Sequence, residues 1–356
     1  MNLREVLKIE PYSLNKAEKE KLFNPFIMEL CRYHYTHCDP YRKMMDAIGF
    51  DAEKTHTYTD VPFLPVQLFK TVELISTPRE NKVKTLFSSG TSGQQKSRVY
   101  LDRENAANQT MVLAKIVSSF IGNKRLPMLI VDSENIITDR THLSARAAGV
   151  TGFSLLGSKR AFVLNEEMEL NIELLQTFIK QNEGEPIFIF GFTFMVFQYF
   201  YQTLLKLGIN PDLSNAVLIH GGGWKKLEQE SISVADFRNK LHKVCGIHSI
   251  YDYYGMAEQM GSIYMECEFG HYHASVFSDI IIRRTLDFSI ANIGEEGVIQ
   301  VLSLLPKSYP GHSILTDDTG IILGEDNCQC HRLGKYFKIT GRLKKAELRG
   351  CSDSYE

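Results

Sequence analysis

The sequence predicts an α/β protein with mostly parallel sheets, helices and a small antiparallel β subdomain near the C-terminus. Short apolar runs, each as long as a buried strand, alternate with helical stretches between residues 84 and 220. After residue 270 the helical stretches stop, and short strands separated by turns follow one another. We therefore expect an α/β core over residues 1–265, a small β subdomain over 266–340, and a hinge with a C-terminal tail over 341–356.

The same spacing predicts the individual elements in order. Asp102 has the residue type and place of a helix N-cap. Residues 61–66 contain two prolines, which favour an extended connector. Helices are expected within residues 1–50, after Asp102, and near 170–180 and 194–207. A strand is expected at 84–87 before the loop, buried parallel strands at 127–132 and 186–192, a further apolar strand at 216–220, and strands of the β subdomain at 276–283 and 297–303.

Composition excludes several functional classes. The chain has 356 residues, 44% of them hydrophobic and 23% charged, which is typical of a globular protein with a large core. A net charge of -2 gives no reason to expect nucleic-acid or membrane-surface binding. There is no apolar run long enough for a transmembrane helix and no apolar signal core at the N-terminus, so we expect a cytoplasmic protein. Seven cysteines in a chain of this length do not indicate a secreted disulfide framework.

Residues 87–97 form a stretch rich in Gly, Ser and Thr that includes Lys96 near its end. Small side chains let backbone N–H groups converge on an anion, and the lysine adds a positive charge. The Walker A motif is disfavoured because Gln95 stands where that motif requires glycine. The loop predicts a phosphate-binding site, and an ordinary exposed polar loop is the alternative.

Four later stretches add candidate ligand-binding residues. Gly221, Gly222 and Gly223 follow an apolar strand, where glycines let backbone approach a flat ligand or simply form a turn. Residues 251–258 combine tyrosines with a glutamate, and residues 315–320 form an acidic turn. A glutamate can hold Mg²⁺, which prefers oxygen ligands, and an arginine such as Arg342 suits oxyanions because its planar fork donates in pairs. Each stretch alone is also compatible with an ordinary surface turn.

Together these stretches resemble the motifs of adenylate-forming enzymes, in the same order, over roughly residues 60–356. The phosphate-loop pattern [ST]-[ST]-G-[ST]-[TS]-G-x-x-K is met at every fixed position. Residues 254–258 resemble Y-G-x-[TA]-E, residues 316–320 resemble T-[GD]-D-x-G with Asp317 in place of the usual glycine, and residues 341–344 resemble the G-R-x-K/D hinge element. The nucleotide-binding residues implied by the resemblance are Ser88, Ser89, Gly90, Thr91, Ser92, Gly93, Lys96, Gly221, Gly222, Gly223, Tyr254, Gly255, Asp318 and Arg342.

Within that superfamily the chain is similar to LuxE-type acyl-protein synthetases, and phenylacetate–CoA ligase-like proteins are related. The resemblance implies that a carboxylic acid, expected to be a fatty acid, is activated by ATP to an acyl-adenylate. Tyr254 would stack on adenine, Glu258 would hold Mg²⁺, Asp318 would accept hydrogen bonds from the ribose hydroxyls, and Lys96 would offset phosphate charge. The acyl group would then pass to Cys351 as a thioester and on to a partner protein such as an acyl reductase.

Cys351 resembles the acyl-accepting cysteine near the C-terminus of LuxE-type proteins. Lys344, Lys345 and Arg349 lie near it in sequence and favour the nucleophilic thiolate, although an incidental cysteine on a tail is the alternative. The C-terminal lid domain that usually follows the Gly-Arg element, and supplies a catalytic lysine, is expected to be absent. Two other functions stay open: an acyl-CoA ligase or acyltransferase that works with a separate lid domain, and a non-catalytic acyl- or nucleotide-binding subunit.

A structural zinc site is predicted in the β subdomain. Cys328 and Cys330 are a tight pair, and thiolates with an imidazole are typical tetrahedral zinc ligands. The likeness to phenylacetate–CoA ligase-like proteins adds Cys267 and His273 to the set, with reduced, unliganded thiols as the alternative. His271 and His331 compete for the imidazole position, whereas Cys31 and Cys38 are expected to be packing residues. The aromatic residues of 188–201 either line an acyl pocket or pack the core.

Overall fold

The structure, a computed structural model, describes residues 3–55, 57–88, 96–137, 143–223 and 232–343. Within these ranges no helix is long and apolar enough to cross a membrane. The α-helices there are α1 (Leu3–Val6), α2 (Lys16–His37), α3 (Asp39–Ala47), α4 (Leu68–Thr71), α5 (Arg103–Ile121), α6 (Ala145–Ser154), α7 (Ile172–Gln181), α8 (Thr193–Met195), α9 (Gln202–Leu207) and α10 (Val234–Cys245). The strands are β1 (Leu64–Pro65), β2 (Lys82–Phe87), β3 (Arg98–Asp102), β4 (Leu126–Ser133), β5 (Leu143–Ser144), β6 (Gly157–Leu164), β7 (Ile187–Phe192), β8 (Ala216–Gly221), β9 (Ser249–Tyr254), β10 (Tyr264–Glu266), β11 (Tyr272–His273), β12 (Ser278–Arg283), β13 (Glu296–Ser303), β14 (Ser313–Glu325) and β15 (Lys335–Arg342).

Most strands belong to one mixed sheet. Its order is β12-β13-β14-β15-β11-β10-β9-β8-β7-β4-β6, with β1 beside β14, and a second small sheet has the order β3-β2-β5. Strands β6, β4, β7, β8 and β9 run parallel to one another. On the other side of β9, all neighbouring strands in the sheet, from β10 through β11, β15, β14 and β13 to β12, pair antiparallel. The predicted α/β class is confirmed. The predicted boundary near residue 265 falls within this continuous sheet, and the division into domains stays a prediction.

Burial explains why these segments form strands. Every residue of β7 is buried, as expected for a parallel strand covered on both faces. One core cluster joins the parallel strands to α2, α5, α6, α7 and α10. A second joins the antiparallel strands to α3 and α4. The apolar runs seen in the sequence therefore become the two halves of the core.

Local sequence signals fix several helix ends. Asp102 caps α5 as predicted, because its Oδ1 accepts a hydrogen bond from the Asn105 N–H at 2.8 Å. Asn15 and Glu18 form a capping box at the start of α2. The helix predicted over 194–207 is present, but its middle turn, Val196–Tyr201, is π-helical.

Candidate active site

The two ends of the predicted phosphate loop meet in the structure. The Ser88 N–H donates to the Ser97 carbonyl at 3.2 Å, and the Ser97 N–H donates to the Ser88 hydroxyl at 2.9 Å. Ser97 is buried and Lys96 is exposed. Ser89, Gly90, Thr91, Ser92 and Gly93 lie outside the described residues. The structure thus fixes where this loop begins and ends, at the end of β2 and the start of β3.

Glu258 is a buried carboxyl group beside the end of the phosphate loop. It lies on a short 3₁₀ helix, Ala257–Gln259, that Gln259 anchors by donating to the Val301 and Gly311 carbonyls at 3.2 and 2.7 Å. The Tyr309 hydroxyl donates to the Glu258 carbonyl at 2.8 Å. Burial raises the pKa of Glu258, while the Ser97 hydroxyl and the charge of Lys70 act to lower it. A fixed carboxylate in such a place is a suitable oxygen ligand for Mg²⁺.

Tyr254, Asp318 and Arg342 come together although they are far apart in sequence. The Tyr254 hydroxyl donates to Asp318 Oδ2 at 2.8 Å, and Arg342 Nε donates to Asp318 Oδ1 at 3.1 Å. Arg342 is 75% exposed, so water screens this ion pair and it adds little stability. Tyr254 ends β9 and Gly255 follows it. An aromatic ring, a carboxylate and a guanidinium are thereby grouped where a nucleoside phosphate can be held.

The glycines after β8 are required by close contacts. A Cβ on Gly221 would lie 2.6 Å from the ring of Tyr253 on the neighbouring strand β9. Gly222 has φ +82°, and a Cβ there would lie 2.6 Å from the ring of Phe192. Gly223 also has a positive φ, of +66°. These glycines therefore let the ends of β7, β8 and β9 close up at one edge of the parallel sheet, where α/β proteins bind ligands.

A mostly buried polar cluster that the sequence did not reveal lies next to these glycines, around His220 on β8. His220 Nδ1 is 2.9 Å from the Thr193 hydroxyl and 3.6 Å from Asp252 Oδ1. The Tyr272 hydroxyl donates to Asp252 Oδ2 at 2.7 Å, and Arg238 donates to Glu266 at 2.6 Å. Burial lowers the pKa of His220 to about 4 and raises that of Asp252 to about 7. His220 is therefore uncharged at neutral pH, and Asp252 is partly protonated there.

The four predicted zinc ligands are close together. One donor atom from each of Cys267, His273, Cys328 and Cys330 lies within 4.8 Å of the others. His273 Nε2 is 3.3 Å from Cys330 Sγ, so this nitrogen faces the cluster. His271, a predicted competitor, is near as well, with its Nδ1 3.4 Å from Cys328 Sγ. Three thiols and an imidazole are the donor set of a closed tetrahedral zinc site.

The remaining predictions concern three cysteines and the aromatic stretch 188–201. Cys351 and its neighbours Lys344, Lys345 and Arg349 are outside the described residues. Cys31 and Cys38 are buried packing residues. Within the aromatic stretch 188–201, Phe188, Phe190, Val196 and Phe200 are almost completely buried, and the Phe190 ring stacks on Phe153 at 4.0 Å. Most of that stretch therefore packs the core.

Some residues at the site had no signal in sequence. Gln259 and Tyr309 act through backbone carbonyls of distant segments, so nothing local marks them. Lys70 lies in a short helix that no motif includes.

The fold and the grouped motif residues define an adenylate-forming ligase. Among solved structures, the chain is similar to 2-hydroxyisobutyryl-CoA ligase in an open conformation with 2-HIB-AMP and CoA, with a TM-score of 0.70 and 15% identity over 94% of this chain and 76% of that one. It is also similar to a long-chain-fatty-acid–CoA ligase from Archaeoglobus fulgidus, with a TM-score of 0.52 and 15% identity over 75% of this chain and 52% of that one. At 15% sequence identity, these comparisons show a similar fold and nothing more about this chain.

The sequence profile of the LuxE acyl-protein synthetases matches residues 3–356, and the chain belongs to this family. Two curated relatives are each called long-chain-fatty-acid–luciferin-component ligase. The protein from Vibrio harveyi is 22% identical over 96% of this chain and 89% of its own length. That from Aliivibrio fischeri is 23% identical over 96% of this chain and 90% of its own length. The chain is therefore an AMP-forming ligase that activates a carboxylic acid with ATP.

Proposed function

We propose that this enzyme activates a long-chain fatty acid with Mg·ATP and transfers the acyl group through Cys351 to a partner protein, such as an acyl reductase. The grouping of Ser97, Glu258, Tyr254 and Asp318 in a member of the acyl-protein synthetase family carries this proposal. The names of the two relatives support a fatty acid as the substrate. Use of ATP and the unpaired thiols of the described cysteines support a cytoplasmic location.

In the first step a carboxylate oxygen of the acid attacks the α-phosphorus of ATP. A new phosphorus–oxygen bond forms, the bond to the bridging oxygen of the β-phosphate breaks, and pyrophosphate leaves. Asp318 would bind the ribose hydroxyls, Arg342 the ribose and phosphate, and Lys96 with the loop hydroxyls would stabilise the charge that develops on the phosphates. Glu258 would hold Mg²⁺, which supplies charge neutralisation at the phosphates when bound.

In the second step the thiolate of Cys351 attacks the acyl carbon of the adenylate. A thioester bond forms and AMP leaves with the electrons of the broken acyl–phosphate bond. Lys344, Lys345 and Arg349 would favour the thiolate because positive charge stabilises it. A thiol of the partner protein then takes the acyl group by thioester exchange, which restores Cys351.

We also propose that Cys267, His273, Cys328 and Cys330 bind a structural zinc ion. Their donor atoms fit this metal in number and type. Burial raises the pKa of Cys267 to about 12, so zinc binding would displace protons from the thiols. Such an ion would join the β10–β11 turn to the β14–β15 turn without taking part in the chemistry.

The intact mass of the protein after incubation with Mg·ATP and saturated fatty acids of increasing length tests the proposed reaction. We expect one hydroxylamine-labile acyl adduct, whose mass identifies the preferred acid. Cys351→Ala should lose the adduct and still release pyrophosphate, whereas Cys245→Ala, which removes a buried thiol on α10, should keep the adduct. An adduct that survives in Cys351→Ala contradicts the carrier role, and the absence of acid-dependent pyrophosphate release from the wild type contradicts the reaction itself.

A further inference from the structure

Helix α4 is brought to the nucleotide site by a strand pairing that spans most of the chain. Just before it, β1 pairs in parallel with β14, with Leu64 opposite Ile314 and Pro65 opposite Leu315. The Val66 N–H then donates to the Leu315 carbonyl at 2.9 Å. Residues 315–320 are part of strand β14 and do not form the turn that the sequence predicted. Because Asp317 and Asp318 follow Leu315 within β14, the first turn of α4 lies beside these acidic residues of the site.

Two side chains hold α4 in that place. The Gln67 amide donates to Asp317 Oδ2. Phe69 is completely buried and meets the Tyr309 ring edge to face, with 6.2 Å between the centroids, and Tyr309 in turn donates to the Glu258 carbonyl. Helix α4 also packs against β3, the strand that follows the phosphate loop, and β3 packs against the 3₁₀ helix of Glu258. The next residue, Lys70, therefore lies in the region of the loop end, Glu258 and Asp317.

The charges around Lys70 are unbalanced. Glu258, Asp317 and Asp318 place three carboxyl groups in this region, and the lysine acts on the pKa of Glu258 in the lowering direction. Among the ion pairs that the described residues form, Arg342 neutralises Asp318 and none includes Lys70. Lys70 is also half-buried, which costs an ammonium group part of its hydration. An anion bound at this place would replace that hydration.

We propose that Lys70 is a phosphate-binding residue of the ATP site and contacts the part of the triphosphate that leaves as pyrophosphate. This inference rests on the proposed function, because it assigns a further residue to its ATP site. Asp318 and Tyr254 mark the nucleoside end of the site, whereas Glu258 and the phosphate-loop ends mark the side of the leaving phosphates. Lys70 lies on the latter side, and its charge opposes the repulsion between the triphosphate and the neighbouring carboxylates.

Nucleotide binding by Lys70 variants tests this assignment. We expect Lys70→Met to weaken Mg·ATP binding about tenfold or more in calorimetry, as for loss of a charge-assisted hydrogen bond. AMP lacks the leaving phosphates and would not contact Lys70. Its affinity for Lys70→Met should therefore stay within about twofold of its affinity for the wild type. Lys70→Arg should restore most of the ATP affinity because it keeps the charge. Lys206→Met, which changes an exposed lysine on α9, is the matched control and should bind both nucleotides as the wild type does.

Two results would overturn the assignment. Unchanged ATP affinity in Lys70→Met would show that the ammonium does not contact the phosphates. Equal weakening of ATP and AMP would show that Lys70 only maintains the shape of the site. Acid-dependent pyrophosphate release by the wild type is measured in parallel: if wild-type protein binds ATP but releases none, the proposed function fails while the Lys70 comparison still stands.

Discussion

At the scale of single residues, burial fixes the protonation of several polar side chains. It raises the pKa of Glu258, and it raises that of Asp252 to about 7. It lowers the pKa of His220 to about 4 and that of His312 to about 3. Because transfer from water always disfavours the charged form, acids and bases shift in opposite directions. These buried groups consequently link the stability of the fold to pH.

His312 gives a direct test of this link. It is 1% exposed, its Nε2 lies 3.3 Å from Cys31 Sγ and 3.4 Å from the Tyr41 hydroxyl, and its ring stacks on His34. Below about pH 6.5 the unfolded chain protonates this histidine while the folded protein does not, so stability falls as the pH drops toward the folded-state pKa of about 3. The expected contribution is about 1.4 kcal/mol per pH unit within this window.

Urea unfolding at several pH values between 7 and 5 measures the contribution. In His312→Gln the free energy of unfolding should fall less steeply with decreasing pH than in the wild type. The difference in slope should correspond to the uptake of about one proton fewer on unfolding. His37→Gln, which changes an exposed histidine at the end of α2, should keep the wild-type slope. Equal slopes in the wild type and His312→Gln would contradict the expectation, whatever the absolute stability of the variant.

At the scale of elements, two tight turns bring the proposed zinc ligands together. The Gly270 N–H donates to the Cys267 carbonyl at 2.9 Å, and the His331 N–H donates to the Cys328 carbonyl at 3.0 Å. Gly270 and His331 both have positive φ values, of 75° and 61°. The first turn joins β10 to β11 and the second joins β14 to β15, so strand pairing of β11 with β15 sets them side by side.

We therefore expect the purified protein to contain about one zinc ion per chain, as a closed four-ligand site holds one metal. Removal by a chelator should lower the melting temperature by several degrees, since the loss of several kcal/mol of binding free energy shifts it by roughly 1–2 °C per kcal/mol in a chain of this length. Elemental analysis and thermal unfolding measure both effects. Cys328→Ala should lose the metal, whereas Cys245→Ala should retain it. A metal-free protein with the same melting temperature before and after chelation would argue against the site.

At the scale of the whole molecule, a buried ion cluster ties the N-terminal helix to the far half of the sheet. Lys19 on α2 lies 3.2 Å from Asp279 on β12, and Lys335 on β15 lies 2.7 Å from the same carboxylate. The Tyr58 hydroxyl donates to Asp279 at 2.5 Å. The two ammonium groups hold the pKa of Asp279 below its usual range despite complete burial.

Asp279→Asn should destabilise the protein by about 3–5 kcal/mol, because it leaves two lysines without their buried counter-ion. Urea unfolding at pH 7 measures the change. Lys16→Ala breaks a mostly exposed pair with Glu325, 62% of the lysine side chain being accessible, and should cost less than about 1 kcal/mol. If Asp279→Asn also lost less than about 1 kcal/mol, the cluster would not be what joins the two parts of the fold.

The sequence predicted the fully buried parts of the sheet better than its margins. Strands β4, β7 and β8 are continuous apolar runs, since both of their faces are covered. Strand β6 was missed because it is an edge strand whose residues Ser158, Lys159 and Arg160 are exposed. Strand β9 was missed because its tyrosines are only partly buried and Asp252 interrupts its apolar pattern. The π-helical turn within 193–207 has no sequence signature here.

The sequence alone determined the class of enzyme and predicted most of the candidate site residues, because the phosphate loop and the later motifs are each contiguous and can be recognised locally. It also identified four cysteine and histidine side chains that lie together in the structure. Only the tertiary structure placed Lys70 beside Glu258, His220 beside Asp252 and Lys19 beside Asp279. These pairs are set by strand register and helix packing between distant segments, and since burial rather than sequence spacing decides their charges, no local pattern could reveal them.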